Sequence, residues 1–240
     1  MKQLAINDLL KKRCRWSRVS LGINNTVAGK IKPIILSHDL AMLSQYPAKQ
    51  RKNENRLEII RNIRKIFLIN PDREDTELLN KSGKKIIIFS FSSTNMQSLD
   101  SFLEKDSQVY VFEIEDNQQA PKYFNLLGKA LLNFTLQRFS QDTALSQNII
   151  YLNWEKISWL STDWVYLANQ CNRYGTSIIL SSNLEAMAQC KKEACEYLLY
   201  SLPIWIDSDK MSSKLVLKDI SKEEVTALNI EHMTKNELKK

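Results

Sequence analysis

Histidine and cysteine are scarce in the sequence, with two His and four Cys in 240 residues. Neither His38 nor His232 has a Cys, Asp or Glu at the spacing of metal ligands, and no two cysteines form a C-x-x-C pair. These absences argue against histidine chemistry and against a zinc or redox centre. The few cysteines also provide no disulfide framework, so we expect reduced thiols.

Long apolar runs and several familiar motifs are missing as well. No apolar run approaches the roughly 18 residues that a transmembrane helix requires. In the first residues, MKQLAINDLLKKRCRW, the charges follow the apolar residues, which is the reverse of a secretory signal. No nucleophile elbow, metal cluster, dinucleotide fingerprint or internal repeat is found. We therefore expect a cytoplasmic protein with no bound cofactor.

Positive charge is concentrated in the first part of the chain. Residues 1–70 contain 15 Lys and Arg against 4 Asp and Glu, whereas residues 71–240 contain 19 against 23. The formal net charge of +7 is thus regional. Such asymmetry predicts a basic segment that meets an anionic partner, with nucleic acid, an acidic protein face and membrane phosphate as candidates.

Short apolar runs alternate with segments of helical period from residue 84 onward. Strands are predicted at 84–91, 108–114, 148–153, 176–182 and 202–207. Runs such as IIIF, IIYL and SIIL are apolar throughout, which is typical of parallel strands buried on both faces. One intervening segment places Phe124, Leu127, Leu131, Phe134 and Phe139 on one helical stripe. We therefore predict an α/β fold with a mostly parallel sheet covered by helices.

The two ends of the chain are predicted to be mainly helical. In the basic region the segment ENRLEIIRNIRKIFL, 54–68, is amphipathic. In the tail, a possible edge strand precedes an N-cap at Ser221 with acids in the following turn, and a second short helix is capped by Thr234. We predict a basic helical region at 1–75 and an α/β domain with short C-terminal helices at 76–240.

One segment approaches a phosphate-binding loop. Such a loop needs glycines that expose backbone N–H groups, a lysine for the terminal phosphates and a hydroxyl for Mg²⁺. In NNTVAGKI, 24–31, Gly29 and Lys30 are suitably placed, but Asn24 replaces the first glycine and Ile31 replaces the hydroxyl. The segment is a weak candidate for nucleotide binding, and the alternative is a chance Gly-Lys pair.

The stretch NIIYLNWEKISWL, 148–160, resembles the second nucleotide-binding strand of a P-loop motor without its acids. Asn153 and Trp154 occupy the positions after the strand where an acidic pair is expected, and the first carboxylate is Glu155. Hydrolysis requires a metal held by the strand Asp and a carboxylate that orients the water. An amide and an indole supply neither, and Glu155 substitutes only if the strand is bulged. The alternative is a buried strand whose terminal Asn satisfies backbone groups.

A longer stretch, 109–207, resembles the C-terminal half of the motor domain in conjugative type IV secretion ATPases. These are coupling-protein and pilus-assembly motors of the HerA and FtsK class. The resemblance rests on the succession VYVFEI, LLNFTLQRF, NIIYLNWEKISWL, NQCNRYG, TSIILSSNLEAM and LLYSLPIWIDSD. It implies that Asn153 and Trp154 replace the acidic pair, that Arg173 matches the motor arginine, and that Asn183 replaces a nucleotide-sensing glutamine. The implied fold is a degenerate P-loop NTPase.

Basic residues in the first 70 positions are candidates for nucleic-acid binding. Cations that pair with phosphate and an aromatic ring that stacks on a base are the groups used for this purpose. The candidates are Lys11, Lys12, Arg13, Arg15, Trp16, Arg18, Arg61, Arg64 and Lys65. The alternatives are a solvated helix end with a core-facing tryptophan at 11–18, and a helix packed on the domain at 54–68.

These observations predict an accessory or inactive ATPase-like subunit of a conjugative DNA-transfer or secretion system, or of a mobile element. It would act through protein and DNA contacts. Two alternatives stay open: a DNA-binding regulator whose α/β part is an assembly domain, and an ATPase completed by a partner subunit. In the last case Arg173 would act across the interface.

Overall fold

The computed structural model describes most of the central part of the chain, and within it the side chains of all but a few helix and strand residues. The residues described there are 65–92, 94–95, 98–105, 107–115, 117–139, 148–153, 162–171 and 176–182. Five further strands are described by their backbone, at 2–5, 21–24, 204–208, 214–219 and 224–229. Among the described residues no helix is long and apolar enough to span a bilayer.

Ten strands and four helices are present in the described part of the chain. The strands are β1 Lys2–Ala5, β2 Leu21–Asn24, β3 Ile66–Ile69, β4 Ile86–Ser90, β5 Val109–Glu113, β6 Asn148–Asn153, β7 Thr176–Ser182, β8 Ile204–Ser208, β9 Lys214–Asp219 and β10 Glu224–Asn229. The helices are α1 Arg73–Lys81, α2 Leu99–Leu103, α3 Ala120–Phe139 and α4 Thr162–Cys171.

All ten strands form one sheet in the order β1-β10-β9-β8-β2-β7-β6-β3-β5-β4. Pairing is parallel from β8 to β4, and β9 is antiparallel to both β8 and β10. The five strands predicted from sequence between residues 84 and 207 are all present. The predicted class, a mostly parallel α/β sheet with helices, is confirmed.

One face of the sheet packs on α2, α3 and α4. Phe67 of β3, Phe112 of β5 and Leu152 of β6 belong to the same buried cluster as the α3 residues Phe124 and Leu131. Four positions of the predicted helical stripe are buried, and the side chain of the fifth, Phe139, lies outside the described residues. The sequence pattern therefore identified the buried face of α3 correctly.

At β3, β5 and β6 the opposite face of the sheet is equally buried. Leu68, Val111 and Tyr151 are each at most 3% exposed although they do not belong to the cluster on the first face. The crossover from β3 to β4 runs in the opposite direction along the sheet from the crossovers that contain α2 and α3. Because such crossovers are right-handed, α1 lies on this second face.

Three sequence predictions are corrected by the strands. Residues 66–68 of the predicted amphipathic helix belong to β3, which is buried along its whole length between β6 and β5. Periodicity cannot separate a short buried strand from a helix segment when the apolar residues are adjacent. The α/β unit therefore includes β3, upstream of the predicted boundary at residue 75.

The other corrections concern the two ends of the chain. Residues 224–229, predicted to be helical, form β10, because pairing with β9 overrides the local capping signal. The N-terminal region, predicted to be mainly helical, contributes β1 and β2 to the sheet. The segment of helical period between β7 and β8 and the predicted helix after Thr234 lie outside the described residues.

Strand β4 differs from the other predicted strands because it lies at the end of the sheet. Its run IIIF was expected to be buried on both faces. Instead Ile88 is 58% exposed, and only Phe89 within β4 is buried. An edge strand has one neighbour instead of two, so less of its surface is covered.

Candidate functional site

The carboxyl ends of the parallel strands bring several polar residues to one edge of the sheet. Asn24 of β2 is paired with Ser182 of β7, and Asn153 of β6 is paired with Ser181. Asn70 follows the last residue of β3, which is paired with Leu152. In open α/β sheets ligands bind outside the carboxyl ends of the strands, where successive strands diverge. Here the chain leaves β2 and re-enters the sheet at β3, with β7 and β6 between them.

The candidate phosphate loop begins at this edge. Its first residue, Asn24, is the last residue of β2, which is hydrogen-bonded between β7 and β8. Gly29 and Lys30 lie outside the described residues. The strand β2 was not predicted from the sequence. It directly precedes the candidate loop, and phosphate loops require a strand at that position. The only sequence signal for β2 is the alternation of Leu21 and Ile23 in a four-residue run.

Asn153 is buried at the end of β6. The residue is 7% exposed, and the neighbouring Ser181 is 5% exposed. An amide at this depth holds no negative charge, so it offers a metal ion a neutral oxygen and not a carboxylate. The other positions implied by the resemblance, Trp154, Arg173 and Asn183, lie outside the described residues, as does the alternative acid Glu155. The structure therefore locates one of the four positions that the resemblance implies.

Two carboxylates that the sequence analysis did not single out lie at this edge. Asp207 follows Ile206, which is paired with Ile23, so its register position is beside Asn24. Glu113 ends β5, and its Oε2 accepts a hydrogen bond from Ser90 Oγ at 2.5 Å. Within the described residues no three His, Cys, Asp or Glu form a group that could hold a metal ion.

Asn70 closes the part of this edge between β3 and β5. Its backbone is left-handed, with φ of 48°. Its Nδ2 donates to Ile114 O at 3.1 Å, and its Oδ1 accepts from Ile114 N at 2.8 Å. The side chain thus imitates a peptide group and continues the sheet by one step. Asn70 has a structural role here, since both ends of its amide bond the neighbouring backbone.

Helix α1 starts immediately after this turn. Asp72 Oδ1 accepts from Asp75 N at 3.1 Å, and Asp75 Oδ2 accepts from Asp72 N at 3.1 Å. This reciprocal arrangement is a capping box, which satisfies two N–H groups at the start of the helix. The β3–α1 turn is thereby fixed on both sides, by Asn70 on the sheet and by Asp72 on the helix.

Lys65 does not belong to a nucleic-acid interface, contrary to the sequence prediction. It is 3% exposed and precedes β3 at the amino edge of the sheet. Its Nζ donates to Lys105 O at 3.4 Å and to the hydroxyl of Tyr110, and lies 4.6 Å from the centroid of the Tyr110 ring. A buried ammonium needs such partners, and at this depth it cannot reach a phosphate.

The remaining candidates for nucleic-acid binding stay predictions. They all lie outside the described residues: Lys11, Lys12, Arg13, Arg15, Trp16, Arg18, Arg61 and Arg64.

Comparison with known proteins gives similarity of fold only. No protein-family model matches the sequence, and no curated protein matches it. One similar solved structure is described as an ATPase, with 11% identity and a TM-score of 0.48, covering 88% of this chain and 79% of that chain. Another is EssC (ATPases 2 and 3) from Geobacillus thermodenitrificans, with 11% identity and a TM-score of 0.45, covering 93% of this chain and 44% of that chain. A third is the genome packaging NTPase B204 from Sulfolobus turreted icosahedral virus 2 in complex with ATP-gammaS, with 9% identity and a TM-score of 0.33, covering 70% of this chain and 96% of that chain.

Proposed function

We propose that this chain is an ATPase-like subunit that does not hydrolyse ATP on its own and acts in a larger assembly. The observation that carries the proposal is the buried Asn153 at the end of β6, on the same sheet edge at which the Asn24–Ile31 segment begins. The architecture suits a nucleotide-binding sheet, whereas the strand that should provide the metal-binding acid ends in an amide. We expect no tightly bound cofactor and a location in the cytoplasm.

The chemical argument concerns Mg²⁺ and the attacking water. The metal of a phosphoryl-transfer site neutralises charge on the phosphates, and it is held by oxygen ligands that include a strand carboxylate. Asn153 and Ile31 remove the charge and the hydroxyl from the two expected positions. Gly29 and Lys30 could still contact a phosphate, but they would do so without a bridging metal.

We therefore expect Mg-ATP turnover by the isolated chain to stay at background. Nucleotide binding, where titration detects it, should have the same affinity in Mg²⁺ as in EDTA, because no carboxylate holds the metal. Steady-state phosphate release and calorimetric titration measure the two quantities. Turnover above background that is lost in Glu155→Gln or in Asp207→Asn would contradict the proposal and identify the acid that replaces Asn153.

The basic N-terminal region supports a second part of the proposal, which is contact with nucleic acid in a DNA-transfer or secretion assembly. Its support is the charge distribution, with 15 Lys and Arg against 4 Asp and Glu in residues 1–70. Phosphate contacts by such a segment release counterions and make binding depend on salt. A protein partner is expected as well, since a subunit without turnover has to act through contacts.

Replacing Arg15 and Arg18 by Gln should weaken binding to duplex DNA and reduce the salt slope by about 2 units, at about 0.9 units for each lost phosphate contact. Fluorescence anisotropy at several salt concentrations measures the slope. A matched control is the double variant Arg73→Gln, Lys122→Gln, which removes the same charge from exposed helix positions. If both double variants change the slope equally, net charge and not the N-terminal segment governs binding. If the parent does not bind DNA, the region serves a protein contact instead.

A further inference from the structure

Strand β4 carries an edge without the usual protection against pairing. It is the last strand in the sheet order, and only β5 is paired with it in the described part of the chain. Edge strands usually bear charges, prolines or bulges that prevent association. Residues 86–92, IIIFSFS, contain neither a charge nor a proline. Ile88, at the centre of the strand, is 58% exposed, the highest value among the large hydrophobic side chains described.

A groove of about 260 Å³ lies beside this strand, where α2 borders it. Its lining includes the apolar residues Ile88, Phe89 and Phe102, the polar residues Ser98 and Ser101, and the charged residue Lys105. A strand added to β4 would satisfy its outer backbone groups. It would also direct alternate side chains to the two faces of the sheet, one set beside Phe89 and the other beside Ile88.

We propose that the occupant is β4 of a second copy of this chain, paired antiparallel about a two-fold axis at Ile88. Such an interface is self-complementary, because each residue meets the same partner position from both sides. Ile88 would lie opposite Ile88 of the partner subunit, and Ile86 opposite Ser90 of the partner subunit. The two ten-stranded sheets would then form one continuous sheet.

The charges at the two ends of β4 favour antiparallel over parallel pairing. Lys84 and Lys85 precede β4, whereas its other end carries Ser90 and the carboxylate of Glu113 that bonds Ser90 Oγ. Parallel pairing would place the lysines of both copies side by side, and like charges on adjacent strands destabilise the pair. Antiparallel pairing brings the basic end of one strand to the end that carries a carboxylate on the other.

The other exposed large apolar side chains among the described residues do not offer such a surface. Leu126 on α3 is 37% exposed and Tyr166 on α4 is 50% exposed. Each is a single residue on a helix, and isolated apolar residues are normal on protein surfaces. They therefore serve as matched controls for substitution of Ile88.

Sedimentation equilibrium of the full chain should show a reversible dimer. Ile88→Lys should weaken dimerisation at least about 100-fold, because two apolar contacts are lost and two like charges meet at the axis. Tyr166→Lys should leave the dimer unchanged, and both variants should keep the circular dichroism of the parent. A parent that stays monomeric at all concentrations would overturn the proposal, as would equal weakening by both variants.

Introduced cysteines test the register. Under mild oxidation the Ile88→Cys variant should form a disulfide that joins the introduced thiols of two copies, because residues at the axis face their own counterparts. The Ile86→Cys variant should not link to itself in this way, since position 86 faces Ser90 of the partner subunit. Peptide mass mapping separates these links from those of the four native cysteines. Self-linking at position 86 but not at position 88 would overturn the proposed axis.

Discussion

Asn70→Ala is expected to lower the free energy of unfolding by about 3–5 kcal/mol, because it removes two hydrogen bonds to buried backbone and strains a left-handed residue. The side-chain amide of Asn70 hydrogen-bonds both the N–H and the C=O of Ile114. The backbone N–H of Asn70 donates to Phe112 O at 2.9 Å. Alanine provides neither side-chain bond and is disfavoured at φ of 48°. Urea unfolding monitored by circular dichroism measures the loss.

Asn70→Gly separates the two causes. Glycine accepts the left-handed backbone but lacks the amide, so its cost should be smaller than that of alanine by about 1 kcal/mol. Asn80→Ala, at an exposed position of α1, is the control and should change stability by at most about 0.5 kcal/mol. A harmless Asn70→Gly would show that the bonds to Ile114 contribute nothing.

Gly128→Ala is expected to destabilise the fold by about 2–4 kcal/mol, because overpacking and a lost hydrogen bond outweigh the better helix propensity of alanine. A methyl group at position 128 would lie 2.7 Å from Trp164 Nε1 and 2.9 Å from Trp164 Cδ1. The indole has no room to retreat: it is 2% exposed, stacks on Phe124 at 4.6 Å and donates to Phe124 O at 2.9 Å.

A double-mutant cycle tests the origin of this cost. In a Trp164→Phe background the indole nitrogen is absent, so Gly128→Ala should cost much less than in the parent. Lys129→Ala, at an exposed position of the same helix, controls for the change in propensity. An unchanged cost of Gly128→Ala in both backgrounds would show that the contact with Trp164 is not responsible.

The strands that the sequence predicted are those with a local signature. The runs around β6 and β7 are continuous and apolar, and such runs occur where both faces of a parallel strand are covered. β3 is equally buried, but its IFLI run directly follows an amphipathic segment of helical period. The local pattern cannot decide between a strand and the end of a helix. Only the pairing of β3 with β5 and β6 does so. β2 and β10 depend on tertiary pairing in the same way.

The candidate site likewise contains residues that the local sequence identifies and residues that only the tertiary structure identifies. Asn153 was identified because the end of β6 and the missing acid are both visible in a few adjacent residues. The burial of Lys65 was not predicted, because it depends on Tyr110 and Lys105, which are distant in sequence. Likewise Asp207 becomes a candidate only through its register beside Asn24. Charge in a sequence predicts solvent exposure on average, yet it does not show which lysine a fold encloses.

The position of β2 between β7 and β8 has a consequence for the order in which the protein forms. Leu21 pairs with Ile179 and with Ile204, whereas β3 to β7 are contributed by the continuous stretch 66–182. During synthesis the emerging chain can assemble β3 to β6 while β2 still lacks both of its neighbours, β7 and β8. Pairing across such long separations forms late, because the intervening chain must first be ordered. Strand β2, which ends at Asn24, is therefore expected to join the sheet only after the ribosome has completed β7, and it gains its second neighbour only with β8. A nascent chain thus carries the scaffold of the candidate site before it carries the site itself.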